Sequence, residues 1–196
     1  GDMLSVTTFV VAGDPATYNA GDTATIAGVG TVLLASDGSY TFTPDADWNG
    51  TVPAITYTLS DGEGGSDTAD LVITVDPVND APVASGTIAD QSDDDAGVVA
   101  GVATSSFFSD IDGDVLGYSA SGLPAGLSID PVTGVISGTI DNSASQGGPA
   151  SDGVYSVTVT ADDGNGGTVD QTFTWTVANP APVANDDAAS TDEDVA

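Results

Sequence analysis

The sequence predicts an all-β protein built as two antiparallel β-sandwiches in tandem. Segments rich in Val, Thr, Ile and Tyr alternate between apolar and polar residues, and Gly, Asp, Asn or Pro interrupts them about every ten residues, as expected for short strands. No stretch carries a helical period. A chain of 196 residues accommodates two sandwiches of ordinary size, and an internal repeat supports that number.

The clearest predicted strand covers residues 155–161. Tyr155, Val157, Val159 and Ala161 would share one face, and the residues between them are Ser or Thr, which is the pattern of a half-buried antiparallel strand. A hairpin is also predicted, because Asp37-Gly38 lies between two such segments, residues 31–35 and 40–43. An Asp-Gly pair in that context favours a two-residue turn.

Most aromatic side chains are predicted to pack in the core rather than to form a surface for stacking sugars, because large aromatic side chains are usually buried. The residues with this prediction are Trp48, Trp175, Tyr40, Phe42 and Tyr57.

The internal repeat defines the domain boundaries. The segment 55–65, followed by a strand ending at Val75, recurs as 156–167 with a strand ending at Val177, and a proline-bearing linker follows each copy. We therefore predict a first module that lacks its first strand, a linker, a second module, and a last segment that combines a linker with the opening strand of a third module. These cover residues 1–77, 78–82, 83–178 and 179–196, respectively.

The charge of the chain is entirely negative. It has 30 acidic residues and no Lys, Arg or His, giving a formal charge of −30. Nucleic acid is excluded as a direct partner because phosphate binding needs basic side chains, and an anionic membrane would repel this fragment. All acidic residues except Glu63 and Glu193 are Asp, and short carboxylates on turns suit Ca²⁺, which takes oxygen ligands. The alternative is an acidic surface that serves only solubility.

The sequence contains no cysteine, and we find in it no targeting or membrane-spanning segment. With no Cys, neither disulfides nor thiolate metal sites can stabilise the fold, which leaves ion binding. We find no signal peptide and no apolar run long enough to span a bilayer, so we expect this segment to carry neither its own export signal nor its own anchor.

The residue types argue against an enzyme. Without His, Cys or Lys the chain cannot form a Ser-His-Asp or Cys-His arrangement, a Schiff base or a phosphate-binding P-loop. Paired carboxylates alone can hydrolyse glycosides. The Asp clusters, however, lie at predicted module ends and not in a cleft with aromatic walls. We therefore predict no catalytic residues and no organic cofactor.

Each of the two predicted modules resembles a different known family. The first module, through segments 38–50, 57–65 and 75–82, resembles the tandem-95 cadherin-like repeat of large bacterial surface proteins. The second resembles a dystroglycan-type cadherin-like domain through segments 108–114, 122–138 and 157–167, with Gly122-Leu-Pro-Ala-Gly-Leu127 and Asp130-Pro-Val-Thr-Gly134 as its most specific motifs. The resemblance implies Ig/cadherin-like sandwiches from a secreted repeats-in-toxin adhesin at the bacterial cell surface.

The resemblance also implies a Ca²⁺ site at the junction between modules, because cadherins bind Ca²⁺ there. The base of the first module would contribute two Asp residues, the linker two Asp and one Asn, and the top of the second module up to four Asp, with Asp162 as the alternative to the last one. In that order, the implied ligands are Asp45 and Asp47; Asp76, Asn79 and Asp80; and Asp110, Asp112, Asp114 and Asp163. Asp110-Ile-Asp112-Gly-Asp114 is not an EF-hand loop, because that loop requires Gly at its sixth position.

Two functions are compatible with the sequence. The chain is predicted to be a calcium-rigidified extender that projects distal adhesive domains for attachment or biofilm formation, with neighbouring tandem modules as its partners. The alternative is a calcium-dependent carbohydrate- or protein-binding module, whose first candidate site outside the junction is the irregular loop 141–152. A further expectation is head-to-tail self-association, in which segment 183–196 of one molecule adds a strand to the first module of another.

Overall fold

Residues 3–182 are described by a computed structural model, in which the chain forms two units, Gly1–Val78 and Asn79–Ala196. The described residues are almost entirely strands and turns. The helical elements among them are two 3₁₀ turns, Ser105–Phe107 and Ala144–Gln146. The predicted all-β class is confirmed.

From residue 3 onward, the N-terminal unit contains nine strands in antiparallel pairs. They form a four-stranded sheet in the order β2-β1-β7-β8, a three-stranded sheet in the order β3-β4-β5, and a short pair of β6 with β9. The strands are β1 (Ser5–Val11), β2 (Thr17–Asn19), β3 (Thr23–Ile26), β4 (Gly30–Leu34), β5 (Tyr40–Pro44), β6 (Gly50–Thr51), β7 (Ile55–Ser60), β8 (Ser66–Leu71) and β9 (Thr74–Val75).

The described part of the C-terminal unit, up to residue 182, also contains nine strands. Its larger sheet has the order β11-β18-β17-β14, with β11 parallel to β18 and the other pairs antiparallel. Its second sheet has the order β12-β16-β15, and β10 pairs with β13. The strands are β10 (Val83–Ala84), β11 (Gln91–Asp94), β12 (Val98–Ala103), β13 (Phe108–Ser109), β14 (Gly117–Ser121), β15 (Leu127–Ile129), β16 (Val135–Thr139), β17 (Val154–Asp162) and β18 (Thr168–Ala178).

Each unit has its own hydrophobic core. In the C-terminal unit, Val157, Val159 and Ala161 of β17 are buried, which confirms the strand predicted over residues 155–161. Trp175 of β18 is 0% exposed and joins the same core. The core of the N-terminal unit includes buried residues of β1, β3, β4 and β7, among them Phe9, whose ring stacks on Tyr18 with 5.2 Å between centroids.

One aromatic core prediction is wrong. Trp175 is buried, and Phe42, Trp48 and Tyr57 pack partly buried against the core of their unit. Tyr40, in contrast, is 51% exposed. Tyr40 is the first residue of β5, which lies at the edge of its sheet, so a neighbouring strand covers it on one side only.

The turn predicted at Asp37-Gly38 exists, but its loop has three residues rather than two. The Ala35 N–H donates to the Ser39 carbonyl at 2.8 Å, so the loop comprises residues 36–38. Gly38 has φ +86°, as expected for the left-handed residue that closes a three-residue hairpin loop. The Asp37 carboxylate accepts hydrogen bonds from the Ser39 N–H and hydroxyl at 2.9 and 2.6 Å, and these bonds stabilise the longer loop.

The motif Gly122-Leu-Pro-Ala-Gly126 brings two backbone segments into close contact. Gly126 has φ +91°, and a Cβ at this position would overlap the Thr139 carbonyl oxygen. Only glycine meets both conditions without strain. Pro124 is fully buried between these glycines, and Leu123 packs against the core. The unusual spacing of the motif therefore serves to pack this loop on the C-terminal unit.

The loop 141–152 is held against the body of the C-terminal unit. The Ser145 N–H and hydroxyl donate to the Asp95 carboxylate at 2.7 and 2.5 Å, and the Tyr155 hydroxyl donates to the Ala144 carbonyl at 2.7 Å. Ala144 is buried in the core. Although this loop is irregular in sequence, its centre is thus a packed part of the fold.

Candidate metal centre

Strand pairing places two acidic segments at one edge of the C-terminal unit. Residues 110–114 lie between β13 and β14, and Asp163 directly follows β17. Because β14 pairs with β17 and Gly117 is opposite Asp162, the start of β14 and the end of β17 meet. Asp110, Asp114 and Asp163 each present a carboxylate oxygen within 4.8 Å of the others. We call these three residues the acidic cluster.

Asp163 is held rigidly within the cluster. Its side chain is 5% exposed, and its Oδ1 accepts hydrogen bonds from the backbone N–H groups of Asn165 and Gly167 at 2.7 and 2.9 Å. Its Oδ2 accepts one from the Asn79 side-chain amide at 2.9 Å. The pKa of the Asp163 carboxyl lies below its ordinary value, mainly because the Asn79 amide donates a hydrogen bond to it and also because backbone N–H groups of the turn do so. Burial acts in the opposite direction and raises this pKa, but it does not outweigh the hydrogen bonds. Asp163 is therefore kept ionised beside two other carboxylates.

Asp110 has a buried oxygen without a partner. Its Oδ1 accepts hydrogen bonds from the N–H groups of Asp112 and Asp114 at 2.9 and 3.3 Å. Its Oδ2 is buried and accepts none. A buried carboxylate oxygen without a hydrogen bond is costly, and the sequence has no Lys, Arg or His to compensate it. This oxygen and its neighbours fit a bound metal ion with oxygen ligands.

The predicted linker residues of this unit also reach the cluster. Asn79 contacts Asp163, as described above, and the Asp80 N–H donates to Asp112 Oδ2 at 2.7 Å. Asp112 is exposed and does not belong to the cluster itself. The structure therefore brings together Asn79, Asp80, Asp110, Asp112, Asp114 and Asp163.

Three predicted ligands belong to the other unit. Asp45 and Asp76 directly follow β5 and β9 of the N-terminal unit, and Asp47 adopts a positive φ of 59° in the turn after β5. All three are exposed. Their role as ligands stays a prediction.

Asp162, the alternative to Asp163, is exposed, and its Oδ1 accepts a hydrogen bond from the Gly164 N–H at 2.7 Å. Asp162 is the last residue of β17 that pairs with β18. Because side chains alternate between the two faces of a strand, Asp162 points outward and the next residue, Asp163, points inward. Asp163 is thus the residue that faces the cluster.

One residue at the site was not predicted. The Asn165 side-chain amide donates a hydrogen bond to Asp114 Oδ2 at 2.8 Å. The sequence signal was the Gly164-Asn-Gly-Gly167 turn. A turn directly after Asp163 places the polar side chain of Asn165 close to the residues that Asp163 contacts. The contact spans 51 residues of sequence, so its partner could not be read from the pattern.

The N-terminal unit contains the same turn without the cluster. Asp61 Oδ1 accepts hydrogen bonds from the N–H groups of Glu63 and Gly65, both at 2.8 Å. The Asp61 N–H donates to the Gly65 carbonyl at 3.2 Å, as the Asp163 N–H does to Gly167. Among residues 3–182, the group of acids close enough to hold a metal is the acidic cluster of the C-terminal unit. Asp61 therefore serves as a matched comparison for Asp163.

Comparison with known families shows that the chain is a tandem of extracellular-type adhesion modules. It belongs to the putative Ig domain family, which matches residues 81–178, half of the chain. The bacterial cadherin-like domain family matches residues 4–77. Modules of both families are typically non-enzymatic. No helix formed by residues 3–182 has the length and apolar character needed to cross a membrane.

A solved structure has the same fold, which confirms the predicted Ig/cadherin-like sandwiches. The first two cadherin repeats of human mucin-like protocadherin match with a TM-score of 0.52 and 16% identity, covering 92% of this chain and 100% of that chain. Drosophila N-cadherin repeats 1–4 match with a TM-score of 0.40 and 13% identity, covering 90% and 42%.

A putative alpha-galactosidase/melibiase from Bacteroides fragilis matches with a TM-score of 0.37 and 21% identity over 50% of this chain. The chain spans 17% of the length of that enzyme. A comparison with curated proteins found no match.

Proposed function

We propose that the chain is a calcium-rigidified extender segment of a secreted adhesin on the bacterial cell surface. The observation that supports it most strongly is the buried, unpartnered Oδ2 of Asp110 beside Asp114 and Asp163. Ca²⁺ is the expected ion because all the available donors are oxygens and Ca²⁺ accepts six to eight of them in flexible geometry. Asp110, Asp114 and Asp163 would bind the ion directly. Asp112, Asn79 and Asp80 would complete or support the site.

The electrostatics favour a divalent ion. Two unit charges 4 Å apart interact by about 1 to 4 kcal/mol at a protein surface, depending on the local dielectric. The acidic cluster places oxygens of three carboxylates within 4.8 Å of one another, and no basic side chain is available. A bound Ca²⁺ would replace this repulsion by attraction, so that the linker residues beside the cluster become ordered with it.

The extender function also requires the N-terminal unit. We propose that Asp45, Asp47 and Asp76 supply further ligands once Ca²⁺ is present, as in the cadherin junction that the chain resembles. The ion would then connect two modules that are otherwise joined by a short linker, and many such junctions in series would hold a distal adhesive domain away from the cell. Attachment and biofilm formation are the processes that such a segment would serve.

Small-angle scattering tests this function directly. We expect added Ca²⁺ to lengthen the average particle and narrow its range of dimensions, because the linker between the modules becomes fixed. The control is the same titration on the Asp76→Asn variant, in which the change should be smaller. Profiles that superimpose in Ca²⁺ and in chelator would contradict the extender function even if an ion binds to the C-terminal unit.

We also propose head-to-tail self-association through segment 183–196, which lies outside the described residues. The support comes from the sheet edges. In the C-terminal unit β18 pairs with β17 on one side and with β11 on the other, whereas β8 of the N-terminal unit pairs with β7 alone among the described strands. The sequence Ala81-Pro-Val-Ala84, which precedes β11, recurs as Ala181-Pro-Val-Ala184. The segment after the second copy would add to β8 of another molecule.

The prediction is a mass in solution that rises with protein concentration for the intact chain and not for a chain truncated after Pro182. The contact is heterologous, so the assemblies should be open chains of varied length rather than a closed dimer. Both partners are acidic, and added salt should therefore strengthen the association by screening their repulsion. A strictly monomeric intact chain at high concentration and high salt would rule it out.

A further inference from the structure

Asn165 and Gly166 form the tip of the turn between β17 and β18, and both are exposed. Asn165 contacts two members of the acidic cluster. Its side-chain amide donates to Asp114 Oδ2 at 2.8 Å, and its backbone N–H donates to Asp163 Oδ1 at 2.7 Å. Any change in the covalent structure of Asn165 therefore alters the surroundings of both carboxylates.

Asparagine followed by glycine is the sequence most prone to spontaneous deamidation, because glycine has no Cβ to hinder attack by its backbone nitrogen. The Gly166 nitrogen would attack the Asn165 side-chain carbonyl carbon and form a new C–N bond, and the former amide nitrogen would leave as ammonia. Water then opens the resulting succinimide at either carbonyl. The overall reaction is asparagine plus water to aspartate or isoaspartate plus ammonia, and it needs no oxidant or enzyme.

We propose that Asn165 is a deamidation site whose two products change the affinity of the acidic cluster for Ca²⁺ in opposite directions. This inference rests on the proposed calcium function. Isoaspartate inserts a methylene into the backbone of the turn 163–167, which is closed by the bond from the Asp163 N–H to the Gly167 carbonyl at 3.2 Å. The N–H groups of Asn165 and Gly167, which donate hydrogen bonds to the Asp163 carboxylate, would then be spaced differently and would no longer hold it in the same position. Aspartate keeps the backbone and adds a fourth carboxylate beside Asp114.

The chain offers an internal comparison. Asn49-Gly50 is the other Asn-Gly pair in the sequence. It lies in the N-terminal unit, where Gly50 pairs with Val75 in a strand ladder. Deamidation at Asn49 is a reference for the rate of the reaction and not for Ca²⁺ affinity, because Asn49 lies two residues from the proposed ligand Asp47.

The test is to age the intact chain in mildly alkaline buffer with chelator and to separate the products by chromatography. Peptide mapping by mass spectrometry then locates each deamidation, and Ca²⁺ titration gives the affinity of each product. For modification at Asn165, we expect affinity about tenfold weaker than that of the fresh chain for isoaspartate and tighter than that of the fresh chain for aspartate. An Asn165→Gln variant, which retains the amide but cyclises far more slowly, should keep its affinity on ageing.

Two results would overturn this inference while leaving the proposed calcium function intact. One is an isoaspartate product at Asn165 that binds Ca²⁺ as tightly as the fresh chain. The other is an aged chain modified at Asn49 but intact at Asn165. If the fresh chain binds no Ca²⁺, the proposed function fails first and the inference fails with it. Mass mapping distinguishes these cases because it follows the covalent reaction without reference to metal binding.

Discussion

Calcium should no longer stabilise the C-terminal unit when Asp163 is replaced by asparagine. Asparagine retains an Oδ1 acceptor for the N–H groups of Asn165 and Gly167, so the turn should persist, but one of the three charges of the acidic cluster disappears. Ca²⁺ affinity varies over orders of magnitude with ligand charge, and we expect the dissociation constant to rise about a hundredfold. Without Ca²⁺, the variant should be about as stable as the original chain, because repulsion within the cluster also decreases.

The measurement is the melting temperature as a function of Ca²⁺ concentration. At a hundredfold excess over the dissociation constant, an ion stabilises the folded state by about 2.7 kcal/mol, and a hundredfold rise in that constant reduces this to about 0.4 kcal/mol. The matched control is Asp61→Asn, because Asp61 accepts the same turn hydrogen bonds in the N-terminal unit. Equal loss of calcium stabilisation in both variants would show that the turn, and not the acidic cluster, determines binding.

Replacing Trp175 with alanine should cause the largest loss of stability in the C-terminal unit. The side chain is 0% exposed and lies opposite Tyr155 in the β17–β18 ladder. Its ring centroid is 6.0 Å from that of Phe173, and its indole N–H donates to Asp93 Oδ2 of β11 at 3.0 Å. Truncating a buried Trp to Ala typically costs about 3–5 kcal/mol, a large part of the 5–15 kcal/mol that stabilises an ordinary domain.

Urea unfolding followed by circular dichroism measures this loss. Trp175→Phe is the intermediate control, because it keeps one aromatic ring in the core but removes the donor to Asp93 and part of the buried volume. It should cost less than Trp175→Ala. Trp48, the other Trp of the chain, packs in the core of the N-terminal unit and reports unfolding there. A Trp175→Ala chain whose unfolding midpoint equals that of the original would contradict the assigned core.

The fold class could be predicted from the sequence because half-buried antiparallel strands alternate between apolar and polar residues. Residues 155–161 are the example: the apolar face of β17 covers the core, so each inward position must be apolar. The length of the Asp37-Gly38 loop could not be predicted. An Asp-Gly pair indicates a turn, but the hydrogen bonds from Ser39 to the Asp37 carboxylate decide how many residues it contains.

The residues of the candidate site were predicted better than its geometry. Asp110, Asp112, Asp114 and Asp163 were identified by resemblance, and the structure brings them to one edge of the C-terminal unit. The contact of Asn165 with Asp114 was missed because it depends on how β14 and β17 pair. The choice between Asp162 and Asp163 depends on the same pairing, since a shift of one residue reverses which side chain points inward.

Thermal unfolding of the C-terminal unit with and without Ca²⁺ tests the central claim most directly. In a Trp48→Phe chain the remaining tryptophan is Trp175, so fluorescence follows this unit alone. If the acidic cluster binds Ca²⁺, the melting temperature should rise with each increase in Ca²⁺ concentration and return to its starting value on addition of chelator. The expected stabilisation is about 2.7 kcal/mol at a hundredfold excess over the dissociation constant. A melting temperature that is the same in chelator and in excess Ca²⁺ would contradict the claim.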